Sequence, residues 1–150
     1  MSRFHSYLSS SIKIIEAYKG DGPFVFHLKK HFAENKKYGS TDRKTIGKLC
    51  YNYFRAGYLF KENSLEDKIL NAFFLCEEVE GPLLKTLRLE LNEKVERTLV
   101  EKCLLLKVNP DKAFPFQSEL SEEVKNTSFY NSFFYQPSLF LRIRPGKNKI

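Results

Sequence analysis

Apolar residues return every three to four positions from Phe4 to about residue 125, and that period restricts the chain to a mainly helical fold. The pattern is clearest where Ile46, Leu49, Cys50, Tyr53 and Phe54 fall at i, i+3, i+4, i+7 and i+8, one continuous apolar stripe. The opposite face of that helix carries Arg43, Lys44, Lys48, Tyr51, Asn52 and Arg55, and Ser40-Thr41-Asp42 caps its start. Two helices precede it. Phe4, Tyr7, Leu8, Ser11, Ile15 and Tyr18 share a face of the first, which Gly20-Asp21-Gly22-Pro23 ends. Pro23 suits the opening position of the second, whose Phe24, Val25, Leu28 and Phe32 point to the core with Lys29 and Lys30 outside. The second breaks at Asn35-Lys36-Lys37-Tyr38-Gly39.

Further along, Asn63-Ser64 caps a helix through Leu65, Ile69, Leu70 and Phe73 that is expected to run to Gly81-Pro82. A leucine-rich segment follows (Leu83, Leu84, Leu87, Leu91). Val95, Leu99, Cys103 and Leu106 then mark a helix stopped by Asn109-Pro110. Phe114-Pro115-Phe116 reads as an irregular connection, Leu120 to Val124 as a short capped turn or helix, and residues 126–137 as a tethered linker. Leu139, Leu141 and Ile143 alternate with Phe140, Arg142 and Arg144, the period of a half-buried strand, and nothing upstream alternates in this way. A single strand cannot satisfy its own backbone. The expected organisation is therefore a helical domain over 1–125, then a linker and the first strand of a truncated α+β subdomain over 126–150, as in a chain cut in mid-fold.

Charge is unevenly placed. Residues 1–63 hold 12 Lys/Arg against 5 Asp/Glu, residues 64–130 hold 9 against 13, and residues 131–150 hold 4 against none. Two basic ends around an acidic middle are the pattern of a polyanion-binding face, because each neutralised phosphate releases condensed counterions. Lys29, Lys30, Lys36 and Lys37 flank the end of the second helix, while Arg43, Lys44, Lys48 and Arg55 line the third. If the two helices pack side by side, as their short connection favours, these cations join into one stripe containing Tyr38 and Tyr51. Cations along a backbone with rings to stack unpaired bases suit RNA. Arg142, Arg144 and Lys147 would add to the contact from the C-terminal strand. Pairing of Arg43 or Arg55 with Asp42 or a neighbouring helix, with the lysines merely solvated, is the opposing reading.

No catalytic constellation accompanies the cations. Gly20-Asp21-Gly22 joins two helices, not a strand and a helix, and so reads as a turn and not as a nucleotide loop. His27 and His31 have an i, i+4 spacing that suits a metal, but no third ligand or nearby Glu joins them. Cys50, Cys76 and Cys103 are an odd, widely spaced set inside apolar helical patterns, and buried free thiols are expected. The longest apolar run, Ala72 to Cys76, is far short of the roughly 18 residues that span a bilayer, and no signal peptide is visible. A cytoplasmic protein without a membrane partner is the expectation.

The segment Asp42-Arg43-Lys44-Thr45-Ile46-Gly47-Lys48-Leu49-Cys50-Tyr51-Asn52-Tyr53-Phe54-Arg55 resembles the N-terminal domain of the Sun/Fmu family of RNA cytosine-C5 methyltransferases, a domain similar to the NusB antitermination protein. Ser128-Phe129 through Pro145, with Leu139-Phe140-Leu141-Arg142-Ile143-Arg144, looks like the first strand of that family's next region, which helps to grip RNA. The resemblance implies a NusB-like helical bundle that orients RNA, with ribosomal RNA as the expected partner, for a C-terminal catalytic domain. That domain would use S-adenosylmethionine and two cysteines, one after Pro and one after Thr. No cysteine here stands in either context, and Arg142-Ile143-Arg144 departs from the family's usual Arg-x-Asn. The expectation is a non-catalytic, RNA-binding N-terminal fragment without a cofactor of its own. A stand-alone NusB-like binding protein, or a helical interaction domain that binds no nucleic acid, are the alternatives.

Overall fold

A computed structural model describes residues 2–135, and these form a mainly helical protein. The helices are α1 (Arg3–Ala17), α2 (Phe24–Glu34), α3 (Ser40–Ala56), α4 (Leu65–Cys76), α5 (Pro82–Leu87), α6 (Leu89–Asn92), α7 (Leu99–Leu105) and α8 (Thr127–Ser132). Two 3₁₀ turns, Pro110–Ala113 and Gln117–Glu119, lie between α7 and α8. The strand expected over residues 139–144 lies outside the described residues. No helix among the described residues is long and apolar enough to cross a membrane.

The central helix is α3, which packs chiefly against α4 and α1. Ile46, Leu49 and Cys50 from its stripe are fully buried, against Ile14 of α1 and Ile69, Leu70 and Phe74 of α4 in one core. Small residues let α1 and α3 approach. Ser11 is fully buried and returns its hydroxyl to the Tyr7 carbonyl at 2.9 Å, which removes the cost of an unpaired polar group in the core. Leu28 of α2 lies over Gly47, where even an added methyl would find only ordinary contact.

Several expectations are corrected. Val25 is exposed, and Phe54 is 39 % exposed at the edge of the stripe and not inside it. Asn52, expected outside, is only 1 % exposed. The buried face is wider than the alternation of polar and apolar residues implied. α4 ends at Cys76, five residues before Gly81-Pro82, and Cys76, Glu77 and Glu78 line a groove with Asn52. The start of α4 follows expectation, with Ser64 Oγ accepting the Asp67 N–H at 3.1 Å.

The end of α4 is fixed from a distance. Lys102 of α7, 2 % exposed, donates from Nζ to the Phe74 carbonyl at 3.2 Å and to the Glu77 carbonyl, closing two of the four orphan acceptors of the helix terminus. Its ammonium lies over the Phe74 ring, and burial holds its pKa below the ordinary lysine value. Lys102→Met keeps the stem but strands both carbonyls, and is expected to cost about 2 to 4 kcal/mol in denaturant unfolding. A loss below roughly 0.5 kcal/mol, the range of an ordinary surface change, would show that the cap is immaterial.

The helix through Val95 is also shorter than expected. It begins at Leu99, where Thr98 accepts the Glu101 N–H and the Glu101 carboxylate accepts the Thr98 N–H at 2.9 Å, a capping box that makes 98 the boundary. Within the stretch read as linker, residues 127–132 are helical. Asn126 Oδ1 accepts the Phe129 N–H at 2.9 Å, and Tyr130 and Phe134 are buried. Phe114 stacks on Phe133 at 5.6 Å, so the irregular 114–116 connection packs on this helix.

Candidate nucleic-acid interface

The end of α2 and the start of α3 are built around Tyr38. Its hydroxyl shares a hydrogen bond of 3.0 Å with Ser10 Oγ, and its ring meets Phe32 at 5.7 Å and His31 at 6.0 Å. Lys37 Nζ sits 5.1 Å from the centre of that ring. Arg43 donates from Nε to the Tyr38 carbonyl at 2.9 Å and stacks over Phe32, so it does not pair with Asp42. The Asp42 carboxylate instead accepts the Tyr7 hydroxyl at 2.5 Å and the Gly39 N–H at 2.7 Å. The Tyr7 hydrogen bond, then the Gly39 bond, hold the Asp42 pKa below the usual carboxylate value. Asp42 therefore serves as the first-turn acid of α3. Arg3, Lys37, Tyr38 and Asp42 share a shallow basin of about 470 Å³.

Lys44, Lys48, Tyr51 and Arg55 recur at intervals of four, three and four and therefore share one face of α3. Within this row Lys44 is exposed, whereas Lys48 is engaged by a carboxylate. Lys48 Nζ lies 2.7 Å from both oxygens of the Glu77 carboxylate, which the early end of α4 brings across. The Arg55 guanidinium approaches Cys76. Lys48, Asn52, Arg55, Glu77 and Glu78 wall a groove of about 810 Å³, and the buried Asn52 Nδ2 has no hydrogen-bond partner among the described residues. Tyr51 is half-exposed and meets Phe24 edge-on at 5.6 Å. Lys29, Lys30, Lys36 and Lys44 are exposed. Arg142, Arg144 and Lys147 lie outside the described residues.

The groups considered for catalysis are placed as packing elements. His27 Nε2 donates to the Ile14 carbonyl at 3.0 Å, and burial, then the neighbouring His27, lowers the pKa of His31. No group of three or more His, Cys, Asp or Glu among the described residues is arranged to hold a metal. Burial pushes the thiols of Cys50 and Cys76 up to about 12 and that of Cys103 up to about 11, so all three are protonated at neutral pH and poor nucleophiles.

Residue-by-residue reading missed the far end of α3, where Tyr53, Phe54 and Tyr58 stand beside Lys61 and Lys68. The available signal was the i, i+3, i+7 recurrence of Tyr51, Phe54 and Tyr58, which runs off the edge of the core stripe. No protein-family model, curated protein or solved structure matches this chain.

Proposed function

We propose that this chain is a non-catalytic RNA-binding helical domain that holds phosphates at the α2–α3 end. The observation that carries the reading is the partition of ion pairs. Among the described residues, no carboxylate lies within ion-pair distance of Lys29, Lys30, Lys36, Lys37, Arg43 or Lys44, all of them exposed. The ion pairs of Lys48, Arg88 and Lys125 draw their acids from Glu66, Asp67, Glu77 and Glu122 in the acidic middle. Unpaired like charges on one end repel one another, an arrangement that a polyanion relieves.

Phosphate contacts of this kind fix the register of an RNA without reading its sequence. That matches the role implied by the resemblance of residues 42–55: a NusB-like N-terminal region that orients ribosomal RNA for a separate S-adenosylmethionine-dependent cytosine-C5 methyltransferase domain. A structured RNA titrated by fluorescence anisotropy is expected to bind and to lose affinity steeply between about 50 and 200 mM salt. Absence of binding at the lower salt would refute the reading in favour of a helical interaction domain for protein partners.

A further inference from the structure

The C-terminal end of α3 carries a cavity of about 430 Å³ whose walls are Tyr53, Phe54, Gly57 and Tyr58 and whose cations are Lys61 and Lys68. Tyr58 is 59 % exposed and Phe54 39 %. Large rings gathered at the surface of a soluble chain mark a contact site. Phe54 is held in place from behind by Phe24 at 4.6 Å, by Tyr53 at 5.1 Å and by Tyr18 at 5.9 Å, so its exposed face is presented by a fixed ring and not by a free rotamer. No carboxylate lines the cavity, and neither lysine forms an ion pair among the described residues.

We propose that this cavity binds unpaired nucleotides of RNA, with bases stacked on Phe54 and Tyr58 and phosphates at Lys61 and Lys68. The inference rests on the RNA-binding reading and adds to it a second, single-strand-selective contact. Every base has a π-face, so a ring platform beside cations accepts any unpaired sequence, whereas a base locked in a duplex cannot reach it. The distance suits one continuous ligand. From Lys44 to Phe54 the helix rises roughly 15 Å, a few nucleotides of extended strand, so an RNA held by its phosphates at the start of α3 can deliver an unpaired stretch to its end. An apolar protein partner would fit the rings but would leave Lys61 and Lys68 unmatched.

The test compares an unstructured oligouridine of about 12 nucleotides with a fully paired RNA duplex, each titrated against the full chain and its variants at one salt concentration. Tyr58→Ala removes a largely exposed ring, and Lys61→Gln with Lys68→Gln removes the cations without touching the core. Tyr58→Ala is expected to weaken oligouridine binding roughly tenfold or more, the loss of one stacked base, and to leave the duplex affinity unchanged. The double lysine variant should also weaken the oligouridine more than the duplex. Unchanged oligouridine affinity in both variants, with the duplex still bound by the parent chain, would overturn this inference alone and leave the rings to a protein partner. Failure of the parent chain to bind either RNA would overturn the RNA reading with it.

Discussion

Gly57→Ala is expected to be among the most damaging single substitutions in the protein, lowering stability by about 3 kcal/mol or more. Gly57 follows the last turn of α3 with φ +54° and ψ −118°, a combination that side-chain-bearing residues avoid. A methyl added there would stand 2.1 Å from the Ala113 carbonyl oxygen and 3.2 Å from its carbon. Both are backbone atoms of a turn whose Ala113 is itself buried, so relief requires moving the 110–113 turn away from α3. For a chain of this size the melting temperature should fall by roughly 6 to 12 °C. Gly22→Ala, where an added methyl meets nothing within 4 Å, is the matched control and should be nearly neutral. If Gly57→Ala melts with the parent, the approach of the 110–113 turn to α3 is wrong.

The second large effect concerns RNA. Changing Lys29, Lys36, Lys37 and Lys44 together to Glu should weaken binding of a structured RNA roughly a hundredfold or more at moderate salt. These four are exposed and free of ion pairs among the described residues, so the change reverses the N-terminal charge at the cost of one contact, that of Lys37 over the Tyr38 ring. Lys48 is left out because Glu in its place would face Glu77, and Arg43 because its Nε holds the Tyr38 carbonyl. Surface changes of this kind usually alter stability by less than about 0.5 kcal/mol each, so the folded state should persist. A variant that folds and binds as tightly as the parent would place the RNA elsewhere.

The parts of this architecture that depend on near neighbours could be read from the sequence. The stripe of Ile46, Leu49 and Cys50, the Ser64 cap and the break around Asn35–Gly39 all follow from residues within a turn of each other. The parts that failed depend on distant ones. The Phe74 and Glu77 carbonyls at the end of α4 are met by Lys102 from α7, and Glu77 pairs with Lys48, so the end of this helix and the engagement of one expected contact residue both involve partners distant in sequence. In the segment read as linker, Asn, Ser and Thr masked the helical spacing of Phe129, Tyr130, Phe133 and Phe134. The Phe54–Tyr58 platform was missed because its rings sit at the margin of a core stripe, where a pattern cannot distinguish half-buried from presented.

The most direct test of the central claim is the slope of log affinity against log salt for one structured RNA, measured with the parent chain and with the four-lysine variant. If these lysines contact phosphates, the parent slope should be steep and the variant slope shallower by about 3 to 4, the release expected from four phosphate contacts. Equal slopes would contradict the account, because the exposed cations of α2 and α3 would then not be where the RNA is held.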